Sequence, residues 1–110
     1  MIIATRHLIL RGADGDRDIR IDIFQPEQKN GAWTCRYEIN WPKEKWASFA
    51  GCADAVQSLV LALQKIATEI YFSDFHKSGK LIWETSGQGY GFPLPPSARE
   101  KAVGDDIKFY

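Results

Sequence analysis

The hydrophobic pattern is strongest over residues 53–72, where it predicts a single long helix. Apolar side chains recur there at steps of three and four residues, which gathers them on one stripe of a 3.6-residue helix. The members of that stripe are Val56, Leu59, Val60, Leu63, Ile66, Ala67 and Ile70. Gly51 or Cys52 is the expected N-cap, and the helix is expected to close at residues 73 and 74. We therefore place this helix at the centre of the core.

Three stretches before the helix alternate or are rich in β-branched residues, and each predicts a strand. They cover residues 2–10, 18–25 and 32–41 and are separated by short turns, the second at Asn30-Gly31. In the third stretch, one face carries Trp33, Cys35, Tyr37, Ile39 and Trp41, and the other carries Thr34, Arg36, Glu38 and Asn40. One dry and one wet face is typical of an antiparallel sheet that is covered on one side.

The segments flanking the helix predict shorter elements. Residues 43–50 are expected to be a connection, with the rings of Trp46 and Phe49 packing over the end of the helix or sheet. Residues 81–84 predict a short fourth strand at an edge of the sheet, beside either the first or the third strand.

Residues 85–110 form a Gly/Pro-rich C-terminal extension. A short helix is expected over residues 97–103 with Ser97 as its cap, and residues 104–110 are expected either to be loose or to return to the sheet. A length of 110 residues fits one domain. The pattern as a whole predicts a single α+β domain over residues 1–110: an antiparallel β-meander of three to four strands packed on one face by a single long α-helix.

Charge and composition argue against some classes of partner and some cellular locations. The 14 basic and 14 acidic residues give a net charge of zero, so general attraction to nucleic acid or to an anionic membrane is not indicated. No run reaches the length of a membrane span, and Arg6 and His7 come too early for a secretory signal. We therefore expect a cytoplasmic protein in which Cys35 and Cys52 are free thiols.

No motif in the chain predicts a metal, cofactor or catalytic site. The Asp-rich turn at 14–18 lacks the Gly and Glu that complete a calcium loop, and residues 76–80 hold phosphate-loop residue types in the wrong order. His7 and His76 are the only histidines and lie far apart in the sequence, which argues against zinc.

The glycine repeat over residues 87–91 follows a short strand, as a dinucleotide-binding loop does. Pro93 follows it and forbids the helix that such a loop must open. The glycines are instead expected to let the chain bend closely around Trp83 or Tyr90.

Three segments have recognisable patterns: Cys35–Pro42, the helix start from Asp54 to Leu63, and Gly79–Trp83 with its Gly-Lys-Leu-x-Trp pattern. Together they resemble a family of small bacterial domains of unknown function. The resemblance covers residues 5–95 and implies a small α+β domain from a bacterium. It implies no activity, because the matching segments are mainly core-forming patterns.

The leading functional hypothesis is a non-enzymatic protein-interaction module, either a homodimer or a binder of one protein partner, as immunity proteins are. Leu61 falls among polar residues about 160° from the centre of the stripe, and Phe72 projects the same way. Phe24 lies on the wet face of the sheet, which is either simply solvated or a binding surface. Leu61, Phe72 and Phe24 are the predicted partner-binding residues, and a lone exposed ring argues against nucleic acid.

The alternative hypothesis is a small-molecule binder or enzyme. Its pocket would lie between the helix and the aromatic C-terminal segment. The predicted pocket residues are Tyr37, Trp46, Cys52, Trp83 and Tyr90. At the expected helix N-terminus, the thiol of Cys52 is either inert or activated as a thiolate.

Overall fold

The computed structural model describes residues 1–110 and contains a six-stranded antiparallel sheet with one long helix. The strands are β1 (Ile2–Leu10), β2 (Arg17–Phe24), β3 (Glu27–Lys29), β4 (Ala32–Asn40), β5 (Lys45–Cys52) and β6 (Leu81–Ile82). The helices are α1 (Ala55–Tyr71), α2 (Asp74–Lys77), α3 (Pro96–Arg99) and α4 (Asp105–Phe109). The predicted α+β class with one main helix is confirmed, and the sheet has more strands than the three or four expected.

Strands β2 and β3 share one edge of β4, since β2 pairs with residues 37–39 and β3 with residues 32–34 of that strand. The register shifts by one residue between them, at the segment that holds Pro26, which has no N–H to donate. The β3–β4 turn has positive φ at both Asn30 and Gly31, the conformation of a tight type I′ hairpin.

The prediction that residues 43–50 form a connection is wrong, because Lys45–Cys52 is a full strand. It pairs with β4 from Trp33↔Cys52 to Asn40↔Lys45. Small or apolar side chains occupy both faces of β5, so the sequence has no period-two signal there. Main-chain hydrogen bonds to the second edge of β4 hold this segment as a strand although its side chains do not alternate. The predicted fourth strand, now β6, pairs with β1, one of its two expected neighbours.

Helix α1 begins later than predicted. Asp54 is the N-cap, and its carboxylate accepts a 2.7 Å hydrogen bond from the backbone N–H of Gln57. Neither of the two expected residues is the N-cap, because β5 continues to Cys52. An aspartate oxygen also satisfies the free amides of a first turn, which a thiol does poorly.

The buried face of α1 is rotated relative to the predicted stripe. Val56 and Val60 are 71% and 42% exposed, so their placement in the core is wrong. The buried residues are Ser58, Ala62, Ile66, Ala67, Ile70 and Tyr71. Small side chains at Ser58 and Ala62 suit a close helix–sheet approach, and the Ser58 hydroxyl donates to the carbonyl of Ala55 at 2.8 Å. The hydrophobic pattern alone does not identify small residues of this kind as buried.

The C-terminal extension folds back onto the core. Tyr90, Phe92, Leu94 and Ala98 join the main hydrophobic cluster. The helix expected over residues 97–103 is shorter and begins earlier, as α3. Its N-cap is Pro95 and not Ser97. Pro96 occupies the first helical position, where the missing N–H costs nothing. The last residues neither hang loose nor return to the sheet, because they form α4.

Candidate functional site

The end of α1 and the start of β5 meet at a cleft of about 250 Å³, which we call the aromatic cleft. It is lined by Trp41, Glu44, Trp46, Glu69, Phe72, Ser73 and Phe75. Four of these seven side chains are aromatic and the two charged ones are acidic. The sequence brings them from the β4–β5 loop, from β5 itself and from the α1–α2 corner.

Local structure explains how these rings converge. Pro42 follows Trp41 and stops β4, after which the chain reverses and places Trp46 opposite Ile39. At the other side, Phe72 is the C-cap of α1, and Phe75 lies one turn later in α2. The rings of Trp41 and Phe75 stack with centroids 4.8 Å apart and planes 19° apart. This stacked pair gives the cleft one well-packed wall.

The other two rings of the cleft remain half in water. Trp46 is 43% exposed and Phe72 is 46% exposed. Large aromatic rings bury the most apolar surface when covered, and Trp can in addition donate a hydrogen bond. Two such rings on one concave surface therefore form a site where a partner group can gain contact area.

The charge of the cleft is negative. Burial raises the pKa of the Glu69 carboxyl, and the nearby Lys65 opposes that shift. The Lys65 ammonium donates to the carbonyl of Phe49 at 2.7 Å, which directs it to the β5 edge. Lys101 approaches the Phe72 ring at 4.9 Å but does not line the cleft.

Tyr37 lies in the core next to the cleft residues. Its side chain is fully buried. Burial raises the pKa of the Tyr37 hydroxyl, the side chains of Ser48 and Trp46 oppose the shift, and Glu69 adds to it. The hydroxyl therefore lies beneath the cleft, close to two of its lining residues, Trp46 and Glu69.

A second cluster ties the C-terminal extension to α1, and we call it the C-terminal lock: Tyr71, His76, Tyr90, Gly91 and Asp106. The Asp106 carboxylate is only 1% exposed and accepts hydrogen bonds from the Tyr71 hydroxyl and from the backbone N–H groups of Tyr90 (2.9 Å) and Gly91 (2.8 Å). Three donors on one buried carboxylate offset the cost of removing it from water.

The aromatic members of the lock contact each other edge to face, with centroids 4.7 to 5.5 Å apart. His76 Nδ1 lies 2.6 Å from the Tyr90 hydroxyl. Burial and the Asp106 charge raise the pKa of Tyr90 to about 12. Burial, with help from Lys101, lowers the pKa of His76, while Asp106 opposes that shift. The lock is therefore built around a neutral imidazole and a protonated tyrosine.

Arg6 fastens the same extension to β1. Its guanidinium lies 4.1 Å from the Trp83 ring centroid and 4.7 Å from that of Phe92, and it donates to the carbonyls of Tyr90 (2.9 Å) and Gly91 (3.0 Å). Gly91 has a φ of 75°, and a Cβ there would come 2.4 Å from the Trp83 ring. The close bend expected around Trp83 is thus present at Gly91.

The lowered pKa of His76 predicts an acid-sensitive contribution to stability. A partly buried neutral histidine with a lowered pKa favours the folded state above its unfolded pKa, and that benefit is lost as the pH falls through the folded pKa. We expect the stability advantage of the wild type over His76→Gln to be largest near pH 7.5 and to shrink by pH 5, in urea melts. An advantage that stays constant over this range would contradict the assignment.

The wet face of the sheet holds a buried carboxylate of its own. Asp22 accepts hydrogen bonds from the Thr5 hydroxyl at 2.9 Å and from Arg20 Nε at 3.0 Å. Nearby, Arg36 covers the Phe24 ring with its guanidinium 4.1 Å from the centroid. Asp22 is thus satisfied by Thr5 from the adjacent strand β1 and by Arg20 from its own strand β2.

The residues predicted for a pocket do not share one cavity. Trp83 and Tyr90 line a cavity of about 230 Å³ at the glycine-rich loop, residues 87–91, whereas Trp46 lines the aromatic cleft. Tyr37 is a core residue, and Cys52 is a half-buried free thiol at the end of β5 rather than at a helix N-terminus.

The residues predicted for partner binding are also spread over two surfaces. Phe72 lines the aromatic cleft, and Leu61 is 36% exposed on α1. Phe24 lies on the other face of the sheet, where it lines a separate cavity with Phe49.

Several site residues have no strong signal in the sequence. Trp41 belongs to the apolar face of the third predicted strand, so the pattern assigns it to the core and does not predict that it lines a cleft. Glu69 cannot be distinguished in the sequence from any other polar residue of the helix. Asp106 and Arg6 carry ordinary charges in unremarkable segments. The one available cue is the density of rings at Tyr71, Phe72 and Phe75 beside a helix end.

No three His, Cys, Asp or Glu residues come close enough together to hold a metal ion. None of the helices is both long and apolar enough to cross a membrane.

Comparison with known proteins places the chain in a family. No curated protein and no solved structure matches it significantly. The family described as a domain of unknown function (DUF6968) matches residues 4–94, nearly the whole segment of the resemblance noted above. Since that match covers most of the chain, the protein belongs to the DUF6968 family.

Proposed function

We propose that this protein is a non-enzymatic protein-interaction module and that its partner docks in the aromatic cleft. The observation that carries the proposal is the pair of half-exposed rings, Trp46 and Phe72, beside the stacked wall of Trp41 and Phe75. Binding energy at protein interfaces concentrates in a few aromatic and Arg residues that fill desolvated pockets.

The size of the cleft favours a side chain over a metabolite. Its volume of about 250 Å³ lies below the range of roughly 300–1,000 Å³ that is usual for small-molecule sites. A single long side chain from a partner fits such a space, and the surrounding surface remains available for weaker rim contacts.

The proposed surface extends from the cleft along α1. Leu61 and Phe72 are eleven residues apart, which places them within about 20° of each other around the helix and roughly three turns apart along it. A partner that covers Phe72 and lies along α1 therefore reaches Leu61. The partner is either another protein or a second copy of this chain. We further propose a bacterial cytoplasmic setting, which suits the free thiols of Cys35 and Cys52.

Replacing the exposed rings is expected to abolish partner capture. In affinity capture from host lysate, quantified by mass spectrometry, one protein should be retained by the wild type and lost with Trp46→Ala and with Phe72→Ala. Phe109→Ala is the matched control, because Phe109 is an exposed ring outside the cleft, and it should retain the partner. Sedimentation of the same variants tests self-association. Equal capture and equal oligomeric state for all variants would contradict the proposal.

A second candidate function is the binding of a ligand smaller than a typical metabolite, in the cavity of about 230 Å³ at the glycine-rich loop. His76 and Tyr90 line it as a hydrogen-bonded pair, and Glu84 close by adopts a left-handed φ of 60°. Strained non-glycine backbone clusters at functional sites. A small molecule that raises the melting temperature of the wild type but not of a Tyr90→Phe variant would support this alternative.

A further inference from the structure

We propose that the aromatic cleft recognises an arginine side chain, presented by the partner protein. The inference rests on the proposed function and names the group that enters the cleft. Four aromatic rings and two carboxylates line the space, and no basic residue does. The faces of aromatic rings attract cations, and a guanidinium can also form hydrogen bonds to a carboxylate.

The two carboxylates are free to accept such a cation. The ion pairs of the chain are His7–Asp18, Arg20–Asp22 and Lys45–Glu38, and none includes Glu44 or Glu69. Lys65, the nearest cation to Glu69 on α1, donates to the Phe49 carbonyl instead. Burial already disfavours the charged form of Glu69, as its raised pKa indicates. A cation supplied by the partner would again favour the charged form of Glu69, so the cleft and its occupant are complementary in charge.

The chain itself shows how its aromatic rings hold a guanidinium. Arg6 lies between Trp83 and Phe92 at 4.1 and 4.7 Å from their centroids. Arg36 covers Phe24 at 4.1 Å. The aromatic cleft offers the half-exposed rings of Trp46 and Phe72 and contains no guanidinium of its own.

Arginine suits this site better than lysine does. The planar guanidinium is weakly hydrated, stacks on rings and can bind a carboxylate through two N–H groups at once. The ammonium of lysine keeps a compact hydration shell that a half-open cleft does not replace.

The test uses N-acetylated Gly-X-Gly amides, in which X is arginine, lysine, citrulline or leucine. Citrulline keeps the shape of arginine and removes its charge. We expect the arginine peptide to bind with a dissociation constant of about 1 mM and the other three at least about tenfold more weakly, by NMR titration of the full chain.

Variants then place the binding in the cleft. Glu69→Gln should weaken the arginine peptide about fivefold or more, and Trp46→Ala should reduce binding below detection. Glu100→Gln and Phe109→Ala change an exposed carboxylate and an exposed ring outside the cleft, and they should leave the affinity within twofold. Spectra of each variant report whether it is folded, and the milder Trp46→Phe serves if Trp46→Ala is not.

Three results would overturn the inference. They are binding of citrulline or leucine as tight as that of arginine, equal affinity for lysine, and no binding of arginine at about 10 mM. If capture of the partner still depends on Trp46 and Phe72 in that case, the interaction function stands and the arginine assignment alone fails. If capture is independent of both rings, the interaction function fails as well.

Discussion

Asp106→Ala is expected to lower the free energy of unfolding by about 3–5 kcal/mol, because it leaves two buried donors and one part-buried donor without their acceptor. These donors are the Tyr71 hydroxyl and the backbone amides of Tyr90 and Gly91. The carboxylate joins α4 to α1 and to the glycine-rich loop, so its loss is expected to release the C-terminal extension as well.

Urea unfolding followed by tryptophan fluorescence measures the first effect, and limited proteolysis after residue 85 measures the second. Asp105→Ala is the matched control, because the neighbouring aspartate is exposed, and it should change stability by less than about 0.5 kcal/mol. A loss below about 1 kcal/mol for Asp106→Ala would mean that the lock is not part of the cooperative fold.

Ile66→Ala is expected to cost about 2–5 kcal/mol, the usual range for removing a fully buried branched side chain. Ile66 lies at the middle of the buried face of α1, between Ala62 and Ile70. Val56→Ala, on the same helix, should cost less than about 0.5 kcal/mol because Val56 is mostly exposed.

The comparison of these two variants tests the phase of α1 directly. Both residues belong to the apolar stripe that periodicity predicts, but only Ile66 faces the sheet. If the two variants lose equal amounts of unfolding free energy in chemical denaturation, Val56 is as buried as Ile66. That result would support the predicted stripe and contradict the packing described above.

The parts of the fold that the sequence predicts are those in which pattern and burial agree. Strands β2 and β4, the Asn30-Gly31 hairpin and the long helix have a clear period or a specific turn pair, and β1 is rich in β-branched and aliphatic residues. Strand β5 escapes prediction because Ser48 and Ala50 face the helix while Phe49 faces water, which cancels the alternation. Hydrogen bonds to β4, rather than side-chain chemistry, make that segment a strand.

The site is harder to predict than the fold, because it depends on distant segments that meet. Trp46 and Phe72 are each noticeable in the sequence, but a pattern assigns them to different hypotheses. Only the register that sets Trp46 opposite Ile39, together with the end of α1 at Tyr71, shows that they line one cleft. Charge pairing is equally non-local, since nothing in the sequence shows that Glu69 forms no ion pair.

The C-terminal lock illustrates the same limit for stability. The Gly/Pro-rich composition of residues 85–110 indicates an irregular path and says nothing of the anchor. The anchor is one carboxylate, Asp106, which reaches amides sixteen and fifteen residues earlier at Tyr90 and Gly91. Contacts of this kind follow from the three-dimensional path of the chain.

The four tryptophans provide the most direct test of the proposed binding site. Trp41 and Trp46 line the aromatic cleft, Trp83 lines the cavity at the glycine-rich loop, and Trp33 lies at the far end of β4. The measurement is the set of four indole N–H signals in a ¹H–¹⁵N spectrum during titration with the Gly-Arg-Gly amide. We predict that the signals of Trp41 and Trp46 shift together while those of Trp33 and Trp83 stay in place. A shift of Trp83 alone, or no shift at Trp46, would contradict the assignment of the aromatic cleft as the binding site.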